Sequence, residues 1–255
     1  MKILIKLGGT LLDAAESRER LAREITELAA HDQVVVVHGG GKQMTRFLAE
    51  RGIESRFING LRVTTPDVID AVVKIFAGSV NAQLVTAFRV AGARPVGLSG
   101  LSAGLVDAVA LSPELGQVGK PVSSDGRLLH LLVAAGYLPV VACVAGDASG
   151  AIYNVNGDQM AVACAVGFQA ERLFFLTDVE GVRDQSGVAR AELTVGEASE
   201  LIHSGVASGG MQAKLESAMD ALSHGVSQIL IAPGARDGVV AALRAGAAVG
   251  TRIIP

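Results

Sequence analysis

Four consecutive valines, Val34 to Val37, running straight into His38-Gly39-Gly40-Gly41, constrain this chain more than any other stretch. A strand with one wet face alternates apolar and polar residues. An unbroken β-branched run is the signature of a strand covered on both faces, as in a parallel sheet between layers of helices. Lys2 to Leu7 reads as a neighbouring strand, and Ser17 to Ala30 as the amphipathic helix between them. Leu21, Ile25 and Leu28 share its inner face, while Glu19/Arg23, Arg20/Glu24 and Arg23/Glu27 make i,i+4 pairs outside. A helix after Gly41, with Met44, Phe47 and Leu48 inward, completes a βαβα start.

The remaining pattern extends the same architecture. Arg56 to Val63 reads as a short hairpin, Pro66 to Phe76 and Val80 to Ala91 as two helices, and Pro95 to Leu98 as a core strand. Val106 to Leu111 and the Gly/Pro/Ser-rich segment ending near Gly126 read as surface hairpins over one sheet edge. Leu128 to Ala135 is a predicted helix and Leu138 to Ala142 a strand. Strands at 172–176, 226–231 and 251–254 then alternate with helices at 195–203, 210–224 and 237–244. The expected fold is a three-layer αβα sandwich with one open, mostly parallel sheet of about eight strands. With 50% hydrophobic residues the core is ample. No linker or compositional break divides the chain, so the expectation is two lobes, 1–170 and 171–255, on one continuous sheet.

Several classes are disfavoured. A net charge of -3 leaves no electrostatic footprint for nucleic acid. The N-terminus enters a strand pattern at once, without a signal-peptide h-region, and no run of 18 apolar residues suggests a membrane span. Cys143 and Cys164 form no Cys-x-x-Cys pair and read as buried, reduced thiols, which predicts a cytoplasmic protein.

The candidate chemistry lies at strand ends. Lys6-Leu7-Gly8-Gly9 places a cation and two residues without Cβ after the first strand, and His38-Gly39-Gly40-Gly41 repeats the glycine turn after the second. Such turns let backbone amides approach an anion, although they also serve simply to let a helix begin. Gly39-Gly40-Gly41-Lys42-Gln43 lacks the spacing and hydroxyl of a Walker A loop, and Gly8-Gly9-Thr10 lacks the Gly-x-Gly-x-x-Gly fingerprint. Asn154-Val155-Asn156-Gly157-Asp158 crowds polar groups at a helix start, where Asn156 or Asp158 could be the cap. Lys214, beside the apolar stripe Met211, Leu215, Ala218 and Leu222 and near a helix N-terminus, opposes the helix dipole; it either snorkels or faces an anion. Asp178 ends a strand and either positions a cation or a ribose-side water, or caps the turn Val179-Glu180-Gly181.

These pieces, in this order, resemble the acetylglutamate kinases, a branch of the amino acid kinase family. The likeness covers essentially the whole chain: Lys6-Leu7-Gly8-Gly9, Val37-His38-Gly39-Gly40-Gly41, Asn59-Gly60-Leu61-Arg62-Val63-Thr64, Val96-Gly97-Leu98-Ser99-Gly100, Gly136 to Val140, Asn154 to Gln159, Leu176 to Val182, and Gly209-Gly210-Met211 with Lys214. The resemblance implies a carbamate kinase-like fold whose N-terminal lobe binds an N-acyl amino acid and whose C-terminal lobe binds ATP.

The resemblance assigns Lys6 and Lys214 to the transferring phosphoryl group and Asp158 to orienting both. It assigns Gly40, Gly41, Arg62 and Asn154 to the amino-acid substrate, with Arg62 on a carboxylate. Gly8 and Gly9 offer amides to phosphates, while Asp178, Val179, Glu180, Gly181, Val182 and Arg183, with Val206, Ala207, Ser208, Gly210 and Met211, are assigned to the nucleotide. The acceptor is already a carboxylate, so no protein base is needed and His38 is left as a loop or core residue. Mg2+ should enter with ATP, held by phosphate oxygens and water, with no separate protein metal cluster.

Departures from the family pattern bear on specificity. Leu101-Ser102-Ala103 replaces a common charged pair and is expected near the acyl end, leaving acetyl or succinyl open; Lys42 stands where many members have proline. A branch acting on carrier-linked aminoadipate or glutamate tends to have Arg at the position of Met211. A non-catalytic amino-acid or nucleotide sensor is the third reading, disfavoured by the presence of Lys6, Asp158 and Lys214 together. Because the first strand begins at Lys2, the helix that links arginine-inhibited members into hexamers is not expected. A homodimer through the helices between Pro66 and Ala91 is.

Overall fold

The structure, a computed structural model, describes all 255 residues. In chain order it runs β1 (Lys2–Leu7), α1 (Ala15–Ala29), β2 (Gln33–His38), α2 (Gly41–Ala49), β3 (Phe57–Ile58), β4 (Leu61–Arg62), α3 (Pro66–Val72), α4 (Asn81–Val90) and β5 (Pro95–Ser99). Then come β6 (Val106–Ala110), β7 (Val118–Ser124), α5 (Arg127–Ala134), β8 (Leu138–Ala142), β9 (Val144–Gly146) and β10 (Ile152–Val155). The last part is α6 (Gly157–Phe168), β11 (Arg172–Thr177), β12 (Glu192–Thr194), α7 (Val195–His203), α8 (Gly209–Ser223), β13 (Gln228–Pro233), α9 (Val239–Arg244) and β14 (Thr251–Ile254).

The valine run does what its pattern demands. β2 lies parallel to β1, with Leu4 beside Val35, and Val35, Val36 and Val37 are completely buried. The main sheet has eight strands in the order β12-β14-β13-β11-β1-β2-β8-β5, and only the β13–β14 pairing is antiparallel. One hydrophobic cluster extends from Ile3 to Ile253 and includes both faces of this sheet.

Two expectations are corrected. The segment 106–126 does form an antiparallel hairpin, β6 with β7, but it does not lie over an edge of the main sheet: it joins β9 and β10 in a small closed barrel, which leaves no free edge between these strands. The sequence separation between β7 and β10 hides that pairing from a local reading. The two helices expected over Pro66 to Ala91 are instead one unbroken helix in which α3 and α4 are joined by a π-helical segment, Val73–Val80. Gly78-Ser79 weakens the α-helical pattern without a proline or cap to end it, and the wider turn absorbs the change. This helix, Pro66–Val90, is long and apolar enough by composition to cross a membrane; Val72, Val80, Leu84 and Phe88 of it are buried in the common core.

Candidate active site

The sheet order reverses at β1, since α1 carries the chain to β2 on one side while β11 pairs on the other. Crevices outside the carboxyl ends of strands at such a switch point are where α/β sheets bind ligands. A cleft of about 790 Å³ opens there, lined by Lys6, Gly8, Gly9, Gly40, Gly41, Arg62, Asn154, Asp158, Asp178, Gly210 and Lys214, among others. That volume suits a small ligand pair.

At its floor Asp158 stands between two lysines. Lys6 Nζ, from the end of β1, is 2.8 Å from Asp158 Oδ1, and Lys214 Nζ, from the second turn of α8, is 2.9 Å from Oδ2. All three side chains are nearly buried, so Lys214 faces an anion and does not snorkel. Asn156 is the helix cap: its Oδ1 accepts the amides of Asp158 and Gln159, which frees the Asp158 carboxylate for the lysines. Burial alone would raise the Asp158 carboxyl, but the charges of Lys6 and Lys214 outweigh it and hold the group at about 2. Burial, then repulsion from Lys6, lowers Lys214, while Asp158 works against that fall. Gly157 lets Lys6 pass close by, since a Cβ there would lie 3.3 Å from Lys6 Cε.

The amino-acid end is built from β2, α2 and β4. Gly40 packs under the π segment: a Cβ would come within 2.9 Å of the Phe76 ring. Arg62 is mostly buried, donates to Thr45 Oγ1 at 2.7 Å, to the Gly41 carbonyl at 3.3 Å and to Ser55 Oγ, and lies over the Phe57 ring. A guanidinium has five N–H groups, so Nε–H and one Nη1–H are left over from these three bonds. Asn154 donates to Thr64 Oγ1 at 3.1 Å and also faces the cleft.

Comparison with known proteins agrees with this geometry. The model of the amino acid kinase family matches residues 1–233. The chain belongs to the amino acid kinase family. Among its relatives is an acetylglutamate kinase of Solibacter usitatus (strain Ellin6076), 59% identical, with 100% of this chain and 99% of the relative covered. Among solved structures, smu.665 from Streptococcus mutans UA159 has a TM-score of 0.84 at 28% identity, covering 99% of this chain and 98% of that one. An N-acetylglutamate synthase from Neisseria gonorrhoeae, complexed with coenzyme A and N-acetyl-glutamate, gives 0.87 at 26%, covering 99% of this chain but 59% of that one.

The other end of this amino acid kinase cleft is more open. Asp178 accepts from Thr177 Oγ1 at 3.2 Å, and its charge reaches Lys214. Gly210 is in the first turn of α8, whose Ser208 makes no side-chain cap bond; the amides of Met211 and Gln212 bond the Ser208 carbonyl, which leaves those of Gly209 and Gly210 for a ligand. Val179, Glu180, Arg183, Val206 and Ser208 are exposed beyond the cleft wall, and Met211 is partly buried. Three residues of these segments are buried: Gly181, where a Cβ would lie 2.7 Å from Thr251 Oγ1, Val182 and Ala207. Val182 is completely buried, gives its amide to Thr251 Oγ1 and its carbonyl to the Arg190 amide; Ala207 is buried with its amide on Leu201. They hold the loops in shape, with both backbone groups of Val182 and the amide of Ala207 already paired. Gly8 likewise spends its amide on the Leu176 carbonyl.

Leu101 packs against Gly146, where a Cβ would lie 2.6 Å from its Cδ2, and Leu101 to Ala103 do not line the cleft. The apolar wall comes instead from Phe57, Leu61, Phe76, Val118 and Val155. Sequence reasoning missed these, along with Thr45, Ser55 and Cys143; the only local signal was Thr45, four residues after Gly41 on the same helical face.

Proposed function

We propose that the protein transfers the γ-phosphoryl group of ATP to the side-chain carboxylate of N-acetyl-L-glutamate, giving N-acetyl-L-glutamyl 5-phosphate and ADP, the second step of arginine biosynthesis. The observation that carries this reading is full-length similarity, at 59% identity, to a protein named acetylglutamate kinase. The floor of the cleft supports it. Donor and acceptor are both anions, and two ammonium groups around one carboxylate leave a net positive charge where they meet.

In this reading Lys6 stabilises charge on the acceptor side and Lys214 on the donor side, with Asp158 holding both. Gly40, Gly41, Arg62 and Asn154 receive the acyl amino acid, Arg62 pairing with its α-carboxylate. Gly9, Gly210 and the α8 amides receive phosphate oxygens, and the exposed residues Asp178, Val179, Glu180, Arg183, Val206 and Ser208 receive the rest of the nucleotide on loops shaped by the buried Gly181, Val182 and Ala207. The glycines, lacking Cβ, and the free helix terminus fit a polyphosphate. Mg2+, when bound, would be held mainly by the ATP phosphate oxygens and would supply charge neutralisation there. Two subunits associate through the Pro66–Val90 helix.

The experiment is a purified-protein assay with Mg2+·ATP and a panel of acceptors: N-acetylglutamate, N-succinylglutamate, glutamate and an acylated aminoadipate. The carboxyl phosphate is trapped with hydroxylamine. Turnover should be highest with N-acetylglutamate; a preference for another acceptor reassigns the substrate, and ligand binding without turnover would make the protein a sensor.

A further inference from the structure

A buried polar network beside the cleft takes no part in the proposed chemistry. His38, the last residue of β2, is completely buried, and both ring nitrogens are engaged: Nδ1 is 2.8 Å from the Gly39 carbonyl oxygen and Nε2 is 2.9 Å from Asn81 Nδ2. A carbonyl only accepts and an amide nitrogen only donates, so the ring carries its hydrogen on Nδ1 and accepts at Nε2. Asn81 Nδ2 also donates to the Val140 carbonyl at 2.9 Å. Turning the amide over would set oxygen against that carbonyl, so the polarity of the whole network has one solution.

Both residues sit at places the glycine loop depends on. Asn81 directly follows the π segment, whose Phe76 and Val80 press on Gly40, where a Cβ would be 2.9 and 3.1 Å away. Gly97 leaves the space for Asn81, since a Cβ there would come 2.2 Å from Asn81 Oδ1. The His38 carbonyl accepts Cys143 Sγ–H at 2.9 Å, and Cys143 borders Gly157, beside Asp158.

We propose that His38 and Asn81 are positioning residues for the acyl amino acid: the Nδ1–H bond to Gly39 sets the peptide plane that aims the Gly40 amide into the cleft. The C=O of Gly39 and the N–H of Gly40 belong to one trans peptide and point in opposite directions. Pinning the carbonyl to the buried ring therefore turns the Gly40 N–H away from it, and Gly40 lines the cleft. Asn81 keeps the ring in the required tautomer and ties it to the helix that packs over the loop. Burial agrees, holding the imidazole neutral with its pKa pushed down to about 4.

The inference rests on reading the Gly39–Gly41 loop as the acyl-amino-acid site. Its test combines kinetics with spectroscopy. Asn81→Ala and His38→Ala should raise the KM for N-acetylglutamate by about tenfold or more while leaving that for ATP within about twofold. His38→Asn, whose amide nitrogen takes the place of Nδ1–H, should restore most of the loss. In the wild type at neutral pH, ¹⁵N spectra of labelled histidines should place the His38 hydrogen on Nδ1, a measurement that stands if a variant does not fold. An Nε2–H tautomer, equal KM changes for both substrates, no KM change in folded variants, or no recovery with His38→Asn overturns the proposal. A wild type inactive on acyl-glutamate would refute the parent reading instead.

Discussion

Asp158→Asn keeps the shape of the side chain and removes the charge that two nearly buried ammonium groups share at 2.8 and 2.9 Å. In the native protein the carboxyl lies at about 2 against an ordinary 3.8, which corresponds to roughly 2 kcal/mol of stability after its desolvation is met. Because the folded value is below the unfolded one, this contribution is complete above about pH 4 and is lost as pH falls toward 2. Deleting the charge does more than cancel it, since it strands both cations; breaking one partner of a buried pair costs about 3–5 kcal/mol. Lys214 is already lowered by burial and by Lys6, and Asp158 is the first group opposing that. Without Asp158 it falls further and loses its proton at a lower pH. The expected result is a kcat reduced by roughly 10²-fold or more near neutral pH, with smaller changes in KM, since the lost stabilisation belongs to the transition state. The alkaline limb of the kcat profile should move to lower pH. Steady-state kinetics across pH, with Lys214→Ala and the double variant, checks it, and the double variant should cost less than the sum of the singles. A near-normal kcat, an unmoved alkaline limb or strict additivity would refute the organising role of Asp158.

Lys6→Ala should lower kcat by roughly 10²-fold with KM little changed, and a normal kcat would remove the phosphoryl-stabilising mechanism. Arg62→Lys should raise the KM for the acyl amino acid far more than that for ATP, because an ammonium cannot match the planar fork held by Thr45 and Ser55; equal effects would place Arg62 elsewhere. Gly40→Ala drives a methyl against Phe76, so acyl-amino-acid affinity should drop and a companion Phe76→Leu change should recover part of it, measured by calorimetric titration. Burial pushes the Cys143 thiol up to about 12 and raises Cys164 as well, so a thiol reagent near pH 8 should label neither in the native protein and both in denaturant; rapid native labelling would contradict their burial.

Much of this molecule follows from local pattern. Four β-branched valines without alternation read as a strand covered on both sides, and the alternation of such strands with amphipathic helices reads as a parallel sheet, which is why β1, β2, β8 and β11 were legible from residues alone. The ordered motifs from Lys6 to Lys214 were likewise readable, because each lies at a strand end or helix start and keeps its own spacing. Other features depended on partners distant in sequence. The β7–β10 pairing closes the barrel only in three dimensions, and only there does the π segment lay Phe76 and Val80 over Gly40 with Asn81, just after it, on His38. Cys143 and Phe76 carry no motif and enter the cleft only because of what packs beside them. Val182 and Ala207 sit inside segments that read as nucleotide loops, yet both backbone groups of Val182 and the amide of Ala207 are spent inward on Thr251, Arg190 and Leu201. Covalent neighbours set the period of burial along the chain, and that much is written residue by residue. Which hydrogen bonds are left free for a ligand is decided when elements far apart in sequence compete for the same donors and acceptors, and only the folded arrangement settles that competition.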